Sequence, residues 1–191
     1  SFYKKPVIMH INHHWLMGVR HIASPNFDER PLETDLSLIV IHCISLPPGE
    51  FNTPYIDQLF CNQLNATEHP YFADIHHLKV SSHLLIKRSG DTTQYVAFDK
   101  RAWHAGVSMY QSRERCNDFS IGIELEGTDD SPYTEVQYTQ LAQVINALLK
   151  YYPTLSKAGI VGHSDIAPGR KTDPGIGFEW QKLLDLADQN H

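Results

Sequence analysis

Apolar positions along the chain follow two periods. Ser37-Leu-Ile-Val-Ile-His42 is nearly continuous and β-branched, which predicts a strand buried on both faces; the run stops at His42, so that imidazole is expected at a strand end. Ser120-Ile-Gly-Ile-Glu-Leu-Glu126 alternates strictly, with Ile121, Ile123 and Leu125 facing one side and Ser120, Gly122, Glu124 and Glu126 the other. Shorter strands are expected at His83 to Ile86 and Gln94 to Phe98, joined through the turn sequence Ser89-Gly90-Asp91, and at Gly159 to Gly162, which runs directly into His163. Helical spacing governs residues 135–152, where Leu141, Val144, Ile145, Leu148 and Leu149 form one stripe. Thr134 is the expected N-cap there, Gln137 completes a capping box, and Pro153 ends the helix. Thr53 and Pro54 suit the N-cap and first residue of a short helix carrying Ile56, Leu59 and Phe60, and Phe178 to Leu186 reads as a closing helix. Residues 1–36 show little periodicity and read as an irregular arm; His69 to Phe72 reads as a loop.

Strands and helices interleave and one hairpin is included. The fold class is therefore α/β, a single domain with a mixed central β-sheet flanked by helices. A chain of 191 residues fits one such unit, divided into an N-terminal arm over 1–20 and a domain over 21–191. With 41% hydrophobic and 20% charged residues it belongs among chains that fold. A net charge of -6 argues against a nucleic-acid partner, and no apolar run approaches the roughly 18 residues that cross a membrane. The N-terminus lacks the basic-then-apolar pattern of a signal peptide, although a first residue of Ser leaves a trimmed leader open. Cys43, Cys61 and Cys116 are odd in number and widely spaced, which points to reduced thiols and a cytoplasmic setting. Nothing implies an obligate protein partner.

Twelve histidines make metal chemistry the first question. His42 and His163 each end an expected strand, and Asp173 sits in a Pro/Gly-bounded loop after His163. Two imidazoles and one carboxylate form a catalytic zinc set that leaves a tetrahedral position open for water. Against this, a strand-end His is more commonly a packing residue, an Asp before Pro-Gly is a turn former, and nothing like HExxH joins the three. His10, His13 and His14 offer a weaker ligand group. Glu124 and Glu126 share a strand face about 7 Å apart, and either could be a general base or part of a solvated face. Gly122 beside them hints at close approach of backbone or ligand. Lys171 could stabilise an oxyanion or be a surface lysine. Cys43 points away from His42 across the strand, which disfavours a Cys/His nucleophile pair. Tyr71, Trp103 and His104 could line a sugar-binding cleft or pack in a core.

Five longer motifs then narrow the choice: His42-Cys-Ile-Ser-Leu-Pro-Pro-Gly-Glu-Phe51, His69-Pro-Tyr-Phe72, Phe98-Asp-Lys-Arg-Ala-Trp-His-Ala-Gly106, Arg113-Glu-Arg-Cys-Asn-Asp-Phe-Ser-Ile-Gly-Ile-Glu-Leu-Glu-Gly127 and His163-Ser-Asp-Ile-Ala-Pro-Gly-Arg-Lys-Thr-Asp-Pro-Gly175. In this order they resemble the N-acetylmuramoyl-L-alanine amidase family, the zinc amidases related to peptidoglycan recognition proteins, over residues 21–186. The resemblance implies one Zn²⁺ per chain on His42, His163 and Asp173, with Glu124 and Lys171 catalytic. It also implies substrate contacts from Tyr71, Lys79, Arg115, Leu125 and Ala167, alongside the Trp103 and His104 already singled out. Lys79 and Cys43 stand where the resemblance leads one to expect Arg and Asn. The implied reaction is hydrolysis of the amide between the lactyl group of (1,6-anhydro) N-acetylmuramic acid and the L-Ala of an anhydromuropeptide. The implied setting is cytoplasmic peptidoglycan recycling in a bacterium, with an effect on β-lactamase induction. A noncatalytic muropeptide receptor and a periplasmic amidase acting on intact peptidoglycan remain alternatives.

Overall fold

The two most apolar segments of the sequence become neighbouring parallel strands, and the rest of the fold is arranged around that pair. The structure, a computed structural model, describes residues 8–31 and 36–188. The expected arm is therefore followed only from residue 8, and residues 32–35 and 189–191 lie outside the described residues. In chain order the elements are β1 (Ile11–Asn12), β2 (Trp15–Leu16), β3 (Arg20–His21), β4 (Phe27–Glu29), β5 (Leu38–Ile44), α1 (Tyr55–Phe60), α2 (Phe72–Ile75), β6 (Leu84–Ile86), β7 (Thr92–Gln94) and β8 (Lys100–Ala102). They continue with β9 (Met109–Tyr110), β10 (Arg113–Glu114), β11 (Ser120–Glu126), α3 (Glu135–Tyr151), β12 (Ile160–Gly162), α4 (His163–Ile166) and α5 (Trp180–Asp188).

The main sheet runs β12-β5-β11-β6-β7-β3. Its first four strands are parallel, β7 is antiparallel to β6, and β3 is parallel to β7. This is the mixed sheet that the interleaved pattern predicts. One face carries Ile39, Ile41, Ile121, Ile123 and Leu125, packed under Leu141, Val144, Ile145 and Leu148 of α3 and Leu183 of α5. On the other face Leu38 and Val40 meet Cys116, Phe119 and Ile166, while Leu85 meets Leu46, Ile56, Leu59, Phe60 and Tyr95. Every residue of β11 is therefore buried, its polar side included.

The capping box at α3 forms as the sequence suggests. Gln137 N–H donates to Thr134 Oγ1 at 3.2 Å and Thr134 N–H to Gln137 Oε1 at 3.1 Å. Gln137 Nε2 also donates to the carbonyls of Ile86 and Glu126 at 3.1 and 3.0 Å, so one side chain fastens the helix start to the ends of β6 and β11.

Several boundaries differ from expectation. β5 does not stop at His42, because the ladder to β11 continues through Cys43 opposite Leu125 and Ile44 opposite Glu126. β7 occupies residues 92–94 rather than 94–98; after Gln94 the chain leaves the ladder and Tyr95, Val96 and Phe98 bury in loops. Thr53 does not cap α1, since its hydroxyl donates to the Leu46 carbonyl at 2.5 Å. The loop expected at 69–72 runs straight into α2. The stretch read as irregular holds β1 to β4; Leu16 there is fully buried, and its N–H donates to Gln94 Oε1 at 2.6 Å.

Removing the Gln137 amide uncaps a helix and strands two buried carbonyls. Gln137→Met should cost about 2–3 kcal/mol, against about 1 kcal/mol for Thr134→Ala. Urea denaturation of both variants checks that ordering.

Candidate metal centre and active site

Three adjacent parallel strands, β12, β5 and β11, deliver the polar cluster at their C-terminal ends. In-register pairing sets His42 of β5 beside Glu124 of β11 on one face. β12 pairs with β5 up to Gly162 opposite Ile41, so His163, the next residue, emerges on the other flank of His42. The loop after α4 folds back through Lys171 N–H to the Ala167 carbonyl and Ser164 N–H to the Asp173 carbonyl, both at 3.0 Å, and brings Asp173 alongside.

The donor atoms converge. His42 Nδ1 lies 3.0 Å from His163 Nδ1 and 3.1 Å from Asp173 Oδ2, and His163 Nδ1 lies 3.2 Å from Asp173 Oδ1. Ligands on the vertices of a tetrahedron about a zinc ion, at about 2.0–2.1 Å from the metal, stand about 3.3 Å apart. The spacing found here fits that donor set, and among the described residues no other group of three His, Cys, Asp or Glu offers one. His10, His13 and His14 form no such group; His14 Nδ1 instead pairs with the Tyr152 hydroxyl at 2.6 Å. Burial holds His42 below its ordinary value, which favours the neutral imidazole that ligates. Burial alone would raise the Asp173 carboxyl, but the His163 and His42 rings set against it hold it well below the usual carboxylate range.

The two glutamates of β11 divide sharply. Glu126 accepts Asn52 N–H at 2.8 Å and Arg88 N–H at 3.1 Å, which makes it a fastening for two loops. Glu124 places Oε1 3.8 Å from His42 Nδ1, and its Oε2 is buried with no hydrogen-bond partner. Burial, reinforced by the Asp173 charge and opposed by Lys171, pushes the Glu124 carboxyl well up. A buried carboxylate with a free oxygen beside a metal-sized pocket is suited to exchanging a proton with whatever enters.

Residues 32–176 match the N-acetylmuramoyl-L-alanine amidase family. The chain belongs to that family. It is 58% identical over 175 residues to the 1,6-anhydro-N-acetylmuramyl-L-alanine amidase AmpD of Escherichia coli (strain K12), an alignment spanning 92% of this chain and 95% of the relative. A crystal structure of a Se-Met AmpD derivative superposes with a TM-score of 0.91 at 57% identity, over 93% of this chain and 99% of that one. A complex of the amidase AmiD from E. coli with anhydro-N-acetylmuramic acid-L-Ala-D-gamma-Glu-L-Lys superposes with a TM-score of 0.58 at 25% identity, over 94% of this chain and 65% of that one.

In this amidase the metal-sized pocket opens into a cleft of about 530 Å³ walled by Tyr71, Leu78, Trp103, His104, Asp129 and Lys171. Trp103 is steadied by a 3.2 Å hydrogen bond from Nε1 to Asp28. His104 lies deeper, with Nδ1 2.8 Å from His42 Nε2. Other sequence candidates fall elsewhere: Lys79 and Arg115 are exposed and outside the cleft lining. The Leu125 side chain is buried in the core under α3, on the face opposite Glu124. Ala167 is buried at the C-terminal end of α4. Cys43 also reaches the cleft, where Sγ–H donates to Asp129 Oδ1 at 3.4 Å and burial pushes the thiol up, so it is no thiolate nucleophile. Asp129 carried no sequence signal, lying in an ordinary acidic turn; it matters because the chain folds it onto Cys43 and Thr172.

Gly122, flagged for close approach, is approached by His104: a Cβ at 122 would stand 2.5 Å from His104 Cγ. Its N–H donates to Nδ1 of the fully buried His83 at 3.1 Å, and His83 Nε2–H donates to the Lys100 carbonyl at 2.9 Å. Burial, with the Arg30 charge adding, pushes His83 down to about 3. Between pH 6.5 and 3 the unfolded chain then binds a proton at this ring that the folded chain refuses, so stability falls as the pH falls. From pH 7 to 5 this amounts to about 2 kcal/mol. His83→Gln keeps one donor and one acceptor but does not titrate. Its urea midpoint should fall less than that of the wild type over the same interval.

Proposed function

We propose that this amidase hydrolyses the amide joining the lactyl group of 1,6-anhydro-N-acetylmuramic acid to L-Ala, using one zinc ion held by His42, His163 and Asp173. The observation that carries the reading is the convergence of those three donors within 4.8 Å of one another, beside a glutamate whose outer oxygen has no partner. Zinc bound there supplies a Lewis acid that polarises the scissile carbonyl and lowers the pKa of water toward about 7.

The chain's own residues supply the rest. Glu124 accepts a proton from the attacking water through its free oxygen, as a C–O bond forms at the lactyl carbonyl carbon. Lys171, on the cleft wall, stabilises the negative charge that develops on the carbonyl oxygen. Glu124 then returns the proton to the L-Ala nitrogen as the C–N bond breaks, and the new lactyl carboxylic acid gives its remaining proton to the released amine, leaving a carboxylate and a stem-peptide ammonium. Tyr71 and Trp103 offer flat apolar faces to the sugar along the cleft.

The anhydro sugar is supported by the 58% identity to an enzyme named for that substrate and by the ligand of the AmiD complex. The same relationship supports a place in peptidoglycan recycling in the bacterial cytoplasm. Among the described residues no helix is long and apolar enough to cross a membrane, and Cys43, Cys61 and Cys116 are free thiols, in keeping with a reducing compartment.

Mass spectrometry of an anhydromuropeptide incubated with the protein should show a peptide shortened by the muramyl group. A chelator should abolish that product, and zinc should restore it in wild type but not in His42→Ala. Cleavage by metal-free protein would overturn the mechanism, and binding without cleavage would favour a receptor. Lys171→Ala should retain stoichiometric zinc yet lose about 10²- to 10³-fold in kcat, which steady-state kinetics beside a metal assay will show.

A further inference from the structure

Both imidazoles of the metal pocket are held from behind by one dipeptide. His163 Nε2 lies 2.9 Å from the Ala105 carbonyl, and His42 Nε2 lies 2.8 Å from His104 Nδ1. A carbonyl oxygen only accepts, so His163 carries its ring proton on Nε2 and turns the Nδ1 lone pair toward Asp173. His42 reaches the same state when His104 Nδ1 accepts, and His104 can accept because its own Nε2–H has a partner in the buried Ser120 hydroxyl at 3.1 Å. With both ring protons directed outward, two nitrogen lone pairs and a carboxylate meet with no hydrogen among them.

The dipeptide is itself pinned. Asn117 Oδ1 accepts the backbone N–H of His104 at 3.2 Å and that of Ala105 at 2.8 Å. Arg170 Nη2 donates to the same Ala105 carbonyl at 2.7 Å and to the Val107 carbonyl at 2.7 Å. Arg30, half-buried among the carbonyls of Phe98, Asn117, Asp118 and Ser120, fixes the Asn117 and Ser120 backbone in turn. Gly122 leaves the space that the His104 ring fills.

We propose that His104 and Ala105 form a positioning clamp that sets the tautomer and aim of both metal-binding imidazoles, and that Asn117 sets the clamp. This rests on the zinc reading above. It assigns His104 the role of a positioning residue acting through His42, and gives Asn117, which does not touch the donor set, a part in metal affinity.

The test is zinc affinity, measured on chelator-stripped full-length protein by competition with a chromogenic chelator, with circular dichroism reporting the fold. Wild type should take up one zinc ion; failure there would sink the metal reading itself and not only the clamp. His104→Ala should weaken zinc about 10- to 100-fold, and His104→Gln, whose amide oxygen can accept from His42, should recover part of the loss. Asn117→Ala should also weaken zinc, whereas Asn117→Asp, which retains the accepting oxygen, should hold it within about threefold of wild type. If His104→Ala fails to fold, the Asn117 pair decides. Folded Asn117→Ala protein with wild-type zinc affinity, or Asn117→Asp as weak as Asn117→Ala, would overturn the proposal.

Discussion

The parallel, in-register pairing of β5 with β11 is the constraint on which the rest depends. A slip of one residue would turn His42 or Glu124 to the opposite face, under α3, and send an isoleucine into the cleft. The register is secured because Ile39, Ile41, Ile121, Ile123 and Leu125 are all buried beneath the helices on that side. Apolar burial on one face therefore determines where the chemistry lies on the other. Position in the sheet adds the third member: β12 lies on the far flank of β5, so a residue 121 positions away along the chain stands 3.0 Å from His42.

Much of this was legible in the residues. Strict alternation over 120–126 located β11 from end to end, and the capping pair Thr134 and Gln137 located the start of α3. The errors share a cause. Where hydrogen bonding rather than side-chain character decides an element, the pattern misleads: β5 outlasts its apolar run, and β1 to β4 arise in a stretch with no periodicity because the sheet edge and Gln94 give that backbone partners. Thr53 has the right type for a cap but spends its hydroxyl on Leu46.

The site divides in the same way. His42, His163 and Asp173 could be nominated from residue type and a resemblance, but only the sheet order and the returning loop bring their donor atoms together. Of the groups behind them, His104 drew notice in the sequence as a cleft residue, whereas a backbone carbonyl at Ala105 and an amide at Asn117 have no composition to notice. Such a cluster is costly to bury without a cation, as Glu124 and His42 are each displaced from their ordinary ionisation by loss of water. A ligand that binds only the folded chain, present at 1,000 times its dissociation constant, returns about 4 kcal/mol.

Glu124 and Glu126 stand two residues apart on one strand, with the same side chain and the same orientation. Backbone amides saturate the second and leave the first short of a donor. Register sets the first against His42 and the second opposite Ile44, so a shift of two residues along one strand decides how many hydrogens each carboxylate finds around it.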